Sequence, residues 1–207
     1  TTFMEACEVK VDPQGKITGM MGTTTSGQGH ETLFATILGE ELEFDPDEIR
    51  IVHADSLSGL PTRSPVASRM AIMLGGAATG AAAKIKDRAM AIAAFNLDRP
   101  LDELEYSGGN ISARNDPSRK LTWEEICFIA YRAYHKLPPG MEPGFHAQYV
   151  FQVPGGGQLP DAQNRVQIYP CFSFQAHIPY VEIDPGTGRV SVLDYAIAHD
   201  CGTVINP

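Results

Sequence analysis

Several common signatures are missing from this sequence. None of its four cysteines forms a C-x-x-C pair, and none of its six histidines falls in an H-E-x-x-H run, so the familiar zinc spacings are absent. Cys7, Cys127, Cys171 and Cys201 stand singly, which reads as reduced thiols in a cytoplasmic protein rather than a disulfide framework. Positive charge is scarce: 16 Lys and Arg face 25 Asp and Glu, for a net charge of -9. An acidic chain with no basic stripe is a poor nucleic-acid binder. No apolar run is long enough to span a bilayer. The first residues, Thr1 to Ala6, carry neither a basic n-region nor an apolar h-region, so no signal peptide is expected. An initiator Met is lacking as well, and the last residues fall inside a motif, so the expectation is a piece of a longer polypeptide. The 207 residues suffice for one large domain or two small lobes.

What the chain does have is a polar glycine loop, Gly22-Thr23-Thr24-Thr25-Ser26-Gly27-Gln28-Gly29-His30-Glu31-Thr32, between strand-like and helix-like sequence. Glycine lets backbone turn tightly and approach a ligand closely. The helix behind it offers unpaired N–H groups and a partial positive charge, which suits phosphate or pyrophosphate. No Lys-Ser or Lys-Thr follows the last glycine, so this is not a nucleotide-hydrolase phosphate loop. The glycine spacing does not fit the dinucleotide fingerprint either. Chemistry alone leaves two readings open, an anion-binding turn and a structural strand-to-helix turn.

Around the loop, Cys7, Val9 and Val11 alternate with Glu8 and Lys10 as a strand, Asp12-Pro13-Gln14-Gly15 turns, and Ile17 to Thr24 returns. Leu33, Phe34, Ile37, Leu38 and Leu42 share one helical face, and Pro46 is expected to stop that helix. Ile49, Ile51 and His53 open another strand, with His53 read as a half-buried strand residue. A rigid hydroxyl- and proline-rich loop, Gly59 to Arg69, leads into a long Ala/Gly helix from about Ala67 to Asn96, with Ser68 placed to cap it or hold an anion. Leu104 to Ala113 reads as a glycine hairpin. Thr122-Trp123-Glu124-Glu125 reads as a capping box opening a helix to about Leu137. Tyr131, Tyr134 and Phe128 on that helix read as packing residues. Met141 to Arg165 reads as irregular, including Gly155-Gly156-Gly157. Phe172 to Ile183 and Arg189 to Ala198 form a hairpin about Asp184-Pro185-Gly186-Thr187-Gly188 that looks like the first one, a hint of internal duplication. The chain closes on His199-Asp200-Cys201-Gly202-Thr203-Val204-Ile205-Asn206-Pro207. A Cys201 nucleophile served by His199 and Asp200 is disfavoured, since adjacent strand residues point to opposite faces. The other reading is a ligand-holding polar loop.

Three stretches stand together: Gly27-Gln28-Gly29-His30-Glu31-Thr32, Thr62-Arg63-Ser64-Pro65-Val66-Ala67-Ser68-Arg69, and Asp200 to Pro207. In order and spacing, with the Val181 to Gly188 hairpin between the last two, they resemble the molybdenum-cofactor-binding subunit of the molybdenum hydroxylases. That family includes xanthine dehydrogenase, aldehyde oxidase and the aerobic carbon monoxide dehydrogenase large subunit. The resemblance covers essentially the whole chain.

The resemblance implies an α+β fold, a mixed β-sheet with packed helices and an internally duplicated cofactor-binding lobe. Residues 1–207 would be a segment from the C-terminal half region of a large subunit, ending after the third cofactor loop. It implies that Gln28, Gly29, His30 and Thr32 contact the molybdopterin, especially the pyrophosphate of its dinucleotide form. Ala67, Ser68 and Met70 would form the second cofactor loop, and Cys201, Thr203 and Asn206 the third. The cofactor implied is molybdopterin with molybdenum, as the cytosine dinucleotide. The implied partners are the rest of the large subunit, iron–sulfur and flavin subunits or domains, and a small-molecule substrate such as an aldehyde or N-heterocycle. No residue matches the family's catalytic glutamate, so no catalytic residue and no direct metal ligand is assigned, and the 207 residues alone are expected to be inactive. A non-catalytic split subunit or scaffold is the alternative. Gln28, Ser68 and Thr203 are expected to converge on one concave site.

Overall fold

The computed structural model describes residues 4–53, 55–57, 59–153, 160–166 and 171–205, and these form an α+β fold. Two compact units follow one another, Thr1–Pro154 and Gly155–Pro207. The larger begins with β1 (Met4–Val11), β2 (Ile17–Met21), α1 (His30–Leu42), β3 (Arg50–His53) and α2 (Met70–Leu97). It continues with β4 (Leu104–Ser107), β5 (Asn110–Ala113), β6 (Asp116–Leu121), α3 (Trp123–Arg132) and β7 (His146–Gln152). The smaller unit holds β8 (Phe174–Ile183) and β9 (Val190–Asp200), paired antiparallel. No helix among the described residues is long and apolar enough to cross a membrane.

The main sheet is mixed, in the order β3-β2-β1-β7. β1 runs antiparallel to both neighbours, and β3 runs parallel to β2, so the connection through α1 is a crossover. β1 and β2 are the interior strands, and Ala6, Cys7, Val9 and Val11 on β1 are fully buried. Burial, with Glu5 and Glu8 adding to it, pushes the Cys7 thiol up to about 12, so this cysteine is an inert packing residue. α1 lies on β2 and β3, α2 lies on β1 and β7, and the two helices pack on each other.

The Ala/Gly content of α2 serves this packing. Ala77, Ala78, Ala81, Ala82, Ala89 and Ala93 are buried. A methyl at Gly80 would stand 2.4 Å from the Tyr149 ring, and one at Gly76 would stand 2.6 Å from the Phe151 ring. The helix therefore rests on two aromatic side chains of β7. That strand lies inside the stretch read from sequence as irregular. Its signal was Ala147, Tyr149 and Phe151 alternating with His146 and Gln148, obscured by the glycines and prolines on either side. Gly155, Gly156 and Gly157 lie outside the described residues.

Other boundaries also differ. α1 ends at Leu42 because Glu43 turns left-handed (φ 58°) and returns its N–H to Gly39, while Pro46 instead opens a short 3-10 turn. α3 keeps the expected Thr122–Glu125 capping box but ends at Arg132, and Tyr134–Lys136 form a separate 3-10 turn. The glycine hairpin gains a third strand, β6, whose polar, proline-containing sequence carries no apolar alternation. The likeness of the two Asp-Pro hairpins is visible in their turns: Asp12 accepts the Gln14 N–H and Asp184 the Gly186 N–H, each at the residue two places on. Among the described residues the duplication is seen no further than this.

α2 starts at Met70 rather than Ala67. Ala67 (φ 60°) and Ser68 (φ 50°) are both left-handed, so Ser68 cannot cap the helix; Arg69 occupies the cap position with no side-chain cap bond. Two consecutive non-glycine residues in that region require outside support. Arg69 supplies it. Its guanidinium is buried and pairs at 2.8 Å with Glu5, a fully buried carboxylate on β1. It also donates to the backbone carbonyl of Met4 and, at 3.5 Å, to those of Arg63 and Ser64. The Thr62 hydroxyl donates to the other Glu5 oxygen.

Two stability predictions follow from these contacts. Gly80→Ala should destabilise the fold by about 1–3 kcal/mol through overpacking. Gly75→Ala meets only Ile37 at an ordinary 3.4 Å, so it should be neutral or stabilising by up to about 1 kcal/mol through helix propensity. Glu5→Leu should cost about 3–5 kcal/mol by stranding Arg69, and Glu5→Leu with Arg69→Met should recover most of that loss. Urea-denaturation midpoints of the four variants check both.

Candidate functional site

The first polar loop turns at Gly29, whose left-handed backbone (φ 72°, ψ 32°) puts it at the cap of α1. A residue with a Cβ would be strained there. Within the loop, the Gln28 side-chain oxygen accepts from the Ser26 N–H at 2.5 Å and from the Thr25 hydroxyl at 3.1 Å. Gln28 thus ties its own loop together through Oε1. Its amide nitrogen has no protein acceptor among the described residues. At the base of the loop, a Cβ on Gly22 would stand 2.7 Å from Thr62, so the first and second loops touch there.

Both loops deliver helices without side-chain caps. The first ladder bond of α1 runs from the Leu33 N–H to the Gly29 oxygen, and that of α2 from the Met73 N–H to the Arg69 oxygen. The N–H groups of residues 30–32 and 70–72 therefore precede the ladders and have no intrahelical acceptor. Gln28, His30 and Leu33 from the first loop and helix face Ala67, Ser68 and Met70 from the second across a cleft of about 600 Å³. Two positive helix ends border the same space. Pro65, Arg69 and Ala71 complete its wall. Arg69 is the cation among these residues, and Glu5 already holds it. The cleft offers neutral donors to a ligand.

His30 is 7% exposed, and its Nδ1 is buried with no hydrogen-bond partner among the described residues. A buried polar atom without a partner is uncommon in a native fold. The two uncapped helices facing one cleft fit a large group carrying phosphate oxygens.

Five of the residues singled out from sequence, Gln28, His30, Ala67, Ser68 and Met70, come together on this cleft. Gly29 shapes it through its backbone. Thr32 is exposed in the first turn of α1 and is not among the lining residues. Leu33, Pro65, Arg69 and Ala71 were not foreseen; Arg69 had one signal, Glu5 in phase with Cys7, Val9 and Val11 on the buried side of β1.

Cys201 and Thr203 belong to the smaller unit, in an exposed stretch after β9. Asp200 accepts the Gly202 N–H at 2.9 Å and closes a turn. The Cys201 sulfur meets the Gly202 carbonyl at 3.9 Å, and His199 pairs across the hairpin with Gln175. Asn206 lies outside the described residues. Among the described residues, no group of three or more His, Cys, Asp or Glu side chains is arranged to hold a metal ion.

Known proteins share the sequence and fold of this chain. The chain is 32% identical over 205 residues to the carbon monoxide dehydrogenase large chain of Hydrogenophaga pseudoflava, covering 99% of this chain and 23% of that protein. The fold superposes on a reconstituted CO dehydrogenase from Oligotropha carboxidovorans with a TM-score of 0.79 at 30% identity, covering 98% of this chain and 23% of that one. It superposes on quinoline 2-oxidoreductase from Pseudomonas putida 86 with a TM-score of 0.80 at 26% identity, covering 100% and 24%. The chain thus spans about a quarter of the length of these relatives. The family model described as molybdopterin cofactor-binding domain matches residues 1–207. With that match running its whole length, the chain belongs to the molybdopterin cofactor-binding domain family.

Proposed function

We propose that this chain is the cofactor-holding segment of a molybdenum hydroxylase large subunit, from the C-terminal half region of that subunit. The observation that carries the reading is the cleft itself: two uncapped helix N-termini border one space lined by Gln28, His30 and Ser68, in a chain that matches the cofactor-binding family throughout. The Gln28 amide and the N–H groups of the first turn of α1 would bind pyrophosphate oxygens of molybdopterin in its cytosine dinucleotide form. The Ser68 hydroxyl and the first turn of α2 would do so from the opposite wall, and Gly29, Thr32, Ala67 and Met70 shape or flank these donors. The reading also assigns cofactor binding to Cys201, Thr203 and Asn206 of the third loop.

When bound, the molybdenum cofactor supplies an oxidative hydroxylation in which water provides the oxygen. The residues of this chain bind and orient it. The substrate would be an aldehyde, an N-heterocycle or a similar small molecule; the likeness to quinoline 2-oxidoreductase supports the N-heterocycle class. Iron–sulfur and flavin partners would carry the electrons away, in a cytoplasmic complex. The relatives' designation as large chains supports a multi-subunit assembly.

The internal bonds of Gln28 separate its two roles. In the complete enzyme, Gln28→Glu keeps the Oε1 acceptor that closes the loop but replaces the amide donor with negative charge. It should lower cofactor retention at least as much as Gln28→Ala, for which a loss of about tenfold to a hundredfold is expected. Ser68→Ala should weaken retention in the same direction, and Thr36→Ala, farther along α1, should leave it unchanged. Retention is read as molybdenum and pterin nucleotide per subunit after dialysis. Gln28→Glu retaining cofactor at the parental level would overturn the assignment. The 207 residues alone, given cofactor and an electron acceptor, should turn over no substrate, and a steady-state assay checks this.

A further inference from the structure

His53 ends β3, and its ring lies between two acceptors. Nδ1 is 3.1 Å from the carbonyl oxygen of Thr23, and Nε2 is 2.8 Å from Oε1 of Glu31. Neither partner can donate to the ring: one is a backbone carbonyl and the other a carboxylate. Only the imidazolium, with a proton on each nitrogen, satisfies both. Thr23 lies at the entrance of the first cofactor loop and Glu31 just after its exit, in the first turn of α1. The ring therefore bridges the two ends of the loop.

Glu31 has a second significance. It puts a negative charge at the helix end that faces the cleft, where an anion would compete for the same positive field. Its own backbone N–H, first, and the His53 ring hold the carboxyl below its ordinary range, so it stays ionised. His53⁺ compensates that charge.

We propose that His53 is a positioning residue for cofactor binding: as an imidazolium it locks the ends of the glycine loop together and cancels the Glu31 charge at the α1 N-terminus. The consequence for the cofactor rests on the function proposed above; the lock on the loop does not. The charged and titratable groups around the ring are few. α1 presents Glu31, with His30 beside it. β2 pairs Met21 with His53 and brings no charge. Along the chain of β3, Arg50 lies three residues before and Asp55 two residues after.

The Thr23 carbonyl, first, and Glu31 raise the His53 pKa above its usual 6.5. A raised histidine pKa means the lock is in place at and below the ordinary histidine range and is lost as pH rises through the raised value. Cofactor retention should therefore fall as pH rises above the ordinary histidine range. The test uses the complete holoenzyme, dialysed between about pH 6 and about pH 10, with molybdenum and pterin nucleotide per subunit as readout. The parent should lose retention by about twofold to fivefold across that range. Glu31→Gln should flatten the profile at high retention, because no charge is left to compensate. His53→Ala should flatten it at low retention, and His135→Gln, on the exposed turn after α3, should follow the parent. A parent profile that is flat, or a His53→Ala profile that matches the parent, overturns the proposal.

Hydrogen exchange of the amides of residues 22–29, corrected for intrinsic pH dependence, provides the second readout. Loosening with rising pH in the parent but not in His53→Ala supports the lock, and identical behaviour overturns it. An enzyme isolated without any pterin would sink the proposed function, and this exchange measurement would still decide the lock.

Discussion

A single buried ion pair holds the shape of the cleft. Glu5 and Arg69 are 64 residues apart in sequence, on the interior strand β1 and at the start of the long helix. Arg69 also gathers the Met4, Arg63 and Ser64 carbonyls, and Glu5 takes the Thr62 hydroxyl. Such a pair is weak evidence for net stability, since removing two charges from water is costly. Its value here is positional. Both Glu5 oxygens and both terminal nitrogens of Arg69 are engaged, which favours one arrangement of the loop. That arrangement forces Ala67 and Ser68 into left-handed backbone and brings the first turn of α2 to face that of α1.

The electrostatics of the larger unit are local rather than global. A chain with a net charge of -9 does not draw a phosphate-bearing group from a distance. What it offers lies within a few ångströms: helix ends, a glutamine amide, a hydroxyl and a buried imidazole nitrogen. Committing Arg69 to Glu5 removes the one lining cation that could bind anions indiscriminately. Recognition by oriented neutral donors depends on geometry, and that favours one large ligand over small free anions.

Where local chemistry decided the outcome, the sequence was readable. The glycine loop and α1 were visible because φ-positive turns and helical periodicity are written in neighbouring residues, and the capping box of α3 for the same reason. The Ala/Gly helix was readable as a packing element, though its partners Tyr149 and Phe151 lay in a strand hidden among turn residues. β6 had no pattern to read, being an exposed strand of polar residues with a proline. The start of α2 was misplaced because propensity gives Ala67 to a helix, whereas a contact with a strand more than sixty residues earlier pulls it out. In the cleft, donors carried on motifs were found from sequence; the wall residues and the His53 bridge, both products of tertiary packing, were not.

The two aromatic rings beneath α2 have a mechanical meaning. Gly76 and Gly80 lie six and ten residues beyond Met70, or about 9 and 15 Å along the axis. The 28-residue helix is a stiff rod about 42 Å long, resting on Phe151 and Tyr149 as on a fulcrum. Those two rings, and the absence of two methyl groups above them, set how closely the first half of the rod can lie on β7, at residues that line no part of the cleft.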